Sequence, residues 1–331
     1  MPPDGYRPGP TNGLCDVAGI KVGHAHDPRV RSGVTVVLPD APVRAAVDVR
    51  GGGPGTRETD LLGPYATVDR IDALVLSGGS AYGLEAASAV TAVLGAQGRG
   101  YMHRGYCVPI VPAAICFDLH NGGDKAWGDT PPYGHLGRQA LAEAGFAAAV
   151  GSVGAGYGTK AGPLQGGLGM ASITGEGLTV AALAVVNAAG SVTMPGLPHF
   201  WAWPFERNGE LGGLGPPPAP PQHALDLPDT AAGENTTLVV VATDAGLDKP
   251  AAARVAIMAQ DGLARAIRPV HTPFDGDVVF ALATGQGPPP SPADTARIGA
   301  LAADCVARAI ARGVYEAVSN GRRPSYRDRY A

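Results

Sequence analysis

The sequence predicts an α/β protein in layered packing with its helices outside. Strand-length apolar runs, apolar on both faces, recur along the chain, and segments with helical spacing alternate with them. The 49 glycines and 31 prolines fall between these runs and form no repeat, which makes them turns and close backbone approaches. A chain of 331 residues can bury a large core, and one α/β domain over 1–331 accounts for it.

Taken in order, residues 34–38 and 45–49 read as two strands joined in hairpin fashion through Pro39, Asp40, Ala41 and Pro42. Upstream, His24 and His26 lie two apart on a strand and face one side. That is a conceivable metal pair, but no third ligand is placed. The loop from Arg50 to Arg57 (RGGGPGTR) has neither P-loop nor dinucleotide spacing, so backbone approach to a neighbouring element is its expected use. Residues 73–76 are a buried strand, followed by Ser77-Gly-Gly-Ser-Ala-Tyr-Gly83 and a helix to about residue 94. A nucleophile elbow would need glycine where Tyr82 stands.

Residues 108–115 read as another strand, ending in Cys116-Phe117-Asp118 and a polar loop suited to lining a pocket; a helix runs from about 131 to 144. Lys160 lies in the glycine-rich 151–169 segment, where a lone lysine is ordinarily solvated, and residues 178–186 form a strand ending at Asn187, ordinarily a turn residue. Residues 211–230 read as a Pro-rich linker that leaves the chain loose and exposed just before Asn235. Then come a strand at 238–243, a helix at 250–267 closed by Arg268-Pro269, the turn-like Asp275-Gly-Asp277, a strand at 278–283, a helix from 291 to about 319 and an exposed polar tail.

The net charge of −4 with 16% charged residues offers no basic surface for nucleic acid. The longest apolar stretch, 178–186, is about half of a membrane span. No signal-peptide pattern opens the chain, and Cys15, Cys107, Cys116 and Cys305 show no CxxC spacing, so a cytoplasmic location with reduced thiols is expected.

The stretch that organises the chemistry is Gly-Glu-Asn-Thr-Thr leading into Leu-Val-Val-Val-Ala-Thr, which sets Thr236 at the mouth of a buried strand. Thr is a common strand residue. If the Asn235–Thr236 bond breaks, however, Thr236 carries both a hydroxyl nucleophile and an α-amine whose ordinary pKa of roughly 7.7–8.0 suits a general base.

Across nearly its whole length the chain resembles the self-cleaving N-terminal-nucleophile hydrolases, which include D-stereospecific and β-peptidyl aminopeptidases and the 6-aminohexanoate-oligomer (nylon oligomer) hydrolase. The resemblance runs from Gly13-Leu-Cys-Asp-Val-Ala-Gly through Leu-Ser-Gly-Gly-Ser-Ala-Tyr-Gly to Phe-Ala-Leu-Ala-Thr284. It implies a layered α-β-β-α sandwich of the ornithine acetyltransferase type. It also implies cleavage between Asn235 and Thr236 into fragments 1–235 and 236–331, and a homotetramer of cleaved protomers.

Carried over residue by residue, it implies Thr236 as nucleophile, Lys160 beside it, Asn187 holding the oxyanion and Asp277 contacting the nucleophile with support from Asp275. Phe117 stands where a pocket-lining aromatic is expected. No metal or organic cofactor is implied, and the partner is a small amide or peptide.

The aminopeptidase members carry an acidic residue in the strand matching 111–115, which here is wholly apolar, and Ser-Gly-Glu where this chain has Asp-Gly-Asp. Hydrolysis of linear amides such as 6-aminohexanoate oligomers is therefore the first expectation. An aminopeptidase or esterase is the alternative, followed by an acyltransferase in which an amine intercepts the acyl-threonine. A noncatalytic binding protein completes the set.

Overall fold

The computed structural model describes residues 5–219 and 235–330. The first strands are β1 (Ile20–Asp27), β2 (Ser32–Pro39), β3 (Val43–Val49), β4 (Gly55–Arg57), β5 (Arg70–Ile71) and β6 (Leu74–Ser77), leading to helix α1 (Glu85–Ala96). Next come β7 (Tyr101–His103), β8 (Tyr106–Val108), β9 (Ala113–Ile115), α2 (Tyr133–Ala142), β10 (Lys160–Ala161) and β11 (Leu164–Gln165). The long strands β12 (Gly167–Gly175), β13 (Leu178–Asn187) and β14 (Thr236–Thr243) precede α3 (Lys249–Ala266), β15 (Val278–Ala283), α4 (Pro292–Tyr315) and α5 (Tyr326–Tyr330).

These strands build a six-stranded sheet in the order β12-β13-β14-β15-β3-β5 and a five-stranded sheet in the order β1-β2-β6-β9-β4. The parallel pairs β14/β15 and β6/β9 are those with helical crossovers, through α3 and α1. Between the sheets Val37, Leu74 and Leu76 meet Leu183, Val185, Leu238, Val240 and Phe280. The outer face of the larger sheet is covered by α3 and α4, where Val239 and Val241 pack on Val255 and Val306. The outer face of the smaller sheet is covered by α1 and α2. The layers are thus α-β-β-α, as expected, and the apolar-on-both-faces strands are those covered on both sides.

Four local expectations are corrected. Residues 34–38 and 45–49 form no hairpin: β2 is already paired on both edges by β1 and β6, so the Pro39–Pro42 link carries the chain across to the other sheet. The single strand expected at 108–115 is interrupted at 109–112, where Pro109 and Pro112 lack the N–H a ladder needs, and residue 108 belongs to the separate β7–β8 hairpin. The glycine-rich 151–169 segment, to which the sequence assigned no element, runs into β12, because α4 lies flush on it: a Cβ on Gly169 would sit 2.0 Å from the Ala309 carbonyl oxygen. The tail is not wholly exposed, since Tyr326 is buried and stacks on Phe200 at 4.7 Å. Of the expected linker, Leu211 is buried with its N–H on Glu206, whereas residues 220–230 lie outside the described residues.

A buried ion pair ties the outer layer down. Arg308 of α4, 0% exposed, donates to Glu210 at 2.5 and 3.0 Å, to the Ser172 carbonyl and to Asn12. Burial raises the Glu210 carboxyl, but the hydrogen bond and charge of Arg308 outweigh it and hold the group below its ordinary value of 4.5. A carboxyl depressed in the folded state contributes stability that is present above its unfolded pKa and lost as pH falls through the folded one. Arg308→Ala should therefore lower unfolding free energy in urea by about 3 kcal/mol at pH 7, with the difference from wild type shrinking below pH 4.5.

Candidate active site

The site forms at the mouth between the sheets, at one end of β13 and β14. Cross-strand register sets Asn187 directly opposite Thr236. Side chains alternate along a strand, and Leu238, Val240 and Ala242 face the other sheet, as do Leu183 and Val185. Thr236 and Asn187 therefore open into the mouth between the two layers.

Just beyond β14, Asn235 bridges to Asp275 in parallel fashion, which brings the Asp275-Gly276-Asp277 turn against the strand end. The Gly276 N–H donates to the Asn235 carbonyl oxygen at 2.8 Å, and the Thr236 hydroxyl donates to the same oxygen at 2.5 Å. Asn235 is fully buried, and both polar atoms of its side chain lack a hydrogen-bond partner among the described residues.

Each carboxylate is held by donors of its own turn and by one backbone N–H from a neighbouring strand end. Asp277 accepts from the Thr237 N–H at 2.7 Å through Oδ1. Its Oδ2 meets the backbone N–H and ring Nδ1 of His271 at 3.1 and 2.9 Å. Asp275 accepts from the Thr272 hydroxyl at 2.6 Å, the Thr272 N–H at 2.9 Å and the Ala189 N–H at 3.3 Å. Burial, then the neighbouring charge of Asp277, pushes the Asp275 carboxyl up. Asp277 thus reaches the residue after Thr236; the Thr236 hydroxyl itself is bonded to Asn235.

Lys160 and Phe117 join through Asn187, whose Oδ1 accepts from the Lys160 N–H at 3.2 Å and whose Nδ2 donates to the Phe117 carbonyl at 2.9 Å. Phe117, Lys160 and Asn187 line a cavity of about 160 Å³, whose far wall is Asn320, Arg322 and Arg323. Asp118, buried in the same lining, accepts from the Gly79 N–H at 2.7 Å, and burial raises its carboxyl.

All the sequence-predicted site residues therefore converge, and the loop after Arg50 has its expected use. The Gly53 N–H donates to the Asp275 carbonyl at 2.8 Å, and a Cβ on Gly51 would fall 2.3 Å from the Asp277 nitrogen.

Three participants escaped sequence reasoning. His271 shares a turn with the carboxylates and adopts φ 56°, a left-handed conformation that Asp277 fixes through both of its bonds. Its place six residues before Asp277 was the available signal. Arg322 and Arg323 in the tail gave no local sign of approaching the site, whereas Asp118 stands at the strand-to-loop junction already read as suited to lining a pocket. His24 and His26 are spent elsewhere, on the Thr35 hydroxyl at 3.0 Å and in a stack on Tyr157 at 4.3 Å. Among the described residues no group of three or more His, Cys, Asp or Glu is placed to hold a metal, and no helix is long and apolar enough to cross a membrane.

This architecture is the N-terminal-nucleophile hydrolase fold. It superposes on a Burkholderia sp. beta-aminopeptidase with a TM-score of 0.70 at 24% identity, covering 96% of this chain and 93% of that one. On the Ochrobactrum anthropi L-aminopeptidase D-Ala-esterase/amidase, described as a variant of that fold, the TM-score is 0.70 at 21% identity, covering 94% and 88%.

The chain belongs to peptidase family S58, whose model matches residues 12–324, and it is a hydrolase of peptide or amide bonds. An uncharacterized aminopeptidase of Mycobacterium tuberculosis is 47% identical over 96% of this chain and 98% of its own length. A 6-aminohexanoate-oligomer endohydrolase of Kocuria sp. is 29% identical over 82% of this chain and 74% of its own.

Gly51→Ala forces the carboxylate turn off the strand end, because the atoms met are backbone and cannot swing aside. The expected result is a loss of about 1–3 kcal/mol of stability, read by thermal unfolding.

Proposed function

We propose that this chain is a self-processing amide hydrolase whose nucleophile is Thr236, released by scission of the Asn235–Thr236 bond into fragments 1–235 and 236–331. The observation that carries the reading is the pair of hydrogen bonds on the Asn235 carbonyl, one from the Thr236 hydroxyl and one from the Gly276 N–H. Nucleophile and oxyanion donor meet at the same carbonyl before any reaction.

In the first step Oγ1 attacks the Asn235 carbonyl carbon while Gly276 N–H stabilises the developing oxyanion. The C–N bond breaks, the proton moves to the Thr236 nitrogen, and an ester links Asn235 to Thr236. Water then hydrolyses that ester, leaving a carboxylate on Asn235 and a hydroxyl and free amine on Thr236. The buried, unsatisfied Asn235 amide supports this reading, since an orphaned polar side chain costs the intact junction about 1–3 kcal/mol that departure of the new terminus can recover.

In the processed enzyme the α-amine of Thr236 takes the hydroxyl proton as Oγ1 attacks a substrate amide. Asn187, opposite the nucleophile, donates to the tetrahedral oxygen, and Lys160 stabilises its charge. Asp277, held by His271, keeps the nucleophile strand in place, and Asp275 supports the turn. The leaving amine departs protonated, and water releases the acyl group.

The substrate is a linear amide with an aliphatic chain, 6-aminohexanoate oligomers being the model case. The apolar 111–115 segment, the Phe117 wall and the Kocuria relative support that choice. A second reading, an aminopeptidase, is supported by the names of the 47%-identical relatives and by Asp118, a buried carboxylate in the cavity lining able to meet an ammonium group. Exposed Tyr101, Met102 and Tyr106 on the β7–β8 hairpin support association of processed protomers, proposed to be a homotetramer.

Denaturing mass spectrometry should give two fragments meeting at Asn235/Thr236 in the wild type and one chain in Thr236→Ala; an intact wild type after long incubation would refute the proposal. Asn187→Ala should lower kcat on an amide by about 10²–10³. Hydrolysis of N-acetylated amides as fast as their free-amine counterparts would favour the oligoamide reading, and strict dependence on a free amine would favour the aminopeptidase.

A further inference from the structure

The cavity beside the nucleophile has an asymmetry that the hydrolytic chemistry leaves unused. Its inner wall, with Phe117, Lys160 and Asn187, adjoins Thr236 through the β13–β14 register. Its outer wall comes from a different part of the chain, the segment after α4, and presents Asn320, Arg322 and Arg323.

That segment is fixed in place. The Ser319 hydroxyl donates to the Arg323 carbonyl at 2.7 Å, the Pro324 carbonyl accepts from the Gln165 N–H at 2.9 Å, and Tyr326 anchors it in the core. Arg323 is half-buried, with Nη1 on the Gly162 carbonyl at 2.8 Å, and Arg322 is exposed beside it. Neither guanidinium has an ion-pair partner among the described residues. Burial, then the neighbouring charge of Arg322, lowers the Arg323 group from its ordinary value.

Two adjacent guanidiniums facing a cavity repel each other until an anion sits between them, and their planar forks match a carboxylate. Asp118, the carboxylate in the lining, accepts from the Gly79 N–H through Oδ1 only, its Oδ2 having no hydrogen-bond partner among the described residues, and neither arginine is ion-paired to it.

We propose that Arg322 and Arg323 form a carboxylate-recognition wall that selects linear amides ending in a free carboxylate, with the scissile amide at Thr236 and the terminal carboxylate at the tail. This rests on the placement of the active site at Thr236. It defines the preferred substrate class as acidic-ended chains over carboxamide- or ester-capped ones. A cavity of about 160 Å³ is small for a ligand site, and it suits a single unbranched chain.

The test is calorimetric binding of N-acetyl-6-aminohexanoate and of its carboxamide to the purified protein at low salt, with mass spectrometry of the same sample recording its cleavage state. The carboxylate should bind about tenfold more tightly than the carboxamide. That preference should fall in Arg322→Gln and in Arg322→Gln/Arg323→Gln, and it should weaken at 0.5 M salt. Arg322→Gln removes an exposed side chain without touching the Gly162 bond, so it separates recognition from any disturbance of the tail; circular dichroism checks both variants.

Equal affinities, no binding of either compound, or a preference that both variants keep would overturn the inference. An unprocessed wild-type chain that still prefers the carboxylate would instead count against self-processing alone.

Discussion

The site depends on the register that sets Asn187 against Thr236 at the open end of β13 and β14. In a sheet covered on both faces, a slip of one residue would turn Thr236 toward the helices and carry Val239 and Val241 from the α3–α4 side into the space between the sheets. Burial of both faces thus makes the position of Thr236, the proposed nucleophile, a property of the whole core. The reactive end needs little local machinery to aim it.

What the core does not fix, backbone donors do. The Asp275-Gly276-Asp277 turn is seated by Asn235 on one side and by the glycine loop after Arg50 on the other, at distances that leave no room for side chains at Gly51. Two buried carboxylates so close repel each other, and the donors from Thr272, Ala189, Thr237 and His271 compensate. Such a turn is stable only when it is fully seated. The left-handed His271 and the unsatisfied Asn235 amide show where unfavourable energy is concentrated, beside the bond proposed to break.

Charge is distributed to match. Asp275 and Asp277 lie buried against the end of β14, while the adjoining cavity is lined by Lys160, Arg322 and Arg323 together with the buried Asp118. The two arginines belong to a tail that is itself packed by stacking of Tyr326 on Phe200 and by its tilted contact with Tyr315, so the proposed substrate contact and core packing share one short segment.

The sequence by itself determined the layered α/β class, the long strands and helices and the convergence of Thr236, Lys160, Asn187, Asp275, Asp277 and Phe117. Strand and helix periods are local properties of a chain, and the family motifs are contiguous in it. Its errors fell where the partner of a segment is remote. Pro39–Pro42 looked like a hairpin because β6, which takes the second edge of β2, lies well beyond β3 in the chain, and the run near Gly167 gave no strand signal because only the approach of α4 makes glycine the right strand residue there. Only the tertiary structure decided that Gly276 shares a carbonyl with Thr236, that His271 holds Asp277 and that Arg322 and Arg323 line one cavity with Phe117. The first and last of these join segments whose spacing along the chain carries no information about their spacing in the fold, and His271, though six residues from Asp277, is aimed at it by a left-handed turn that the spacing does not specify.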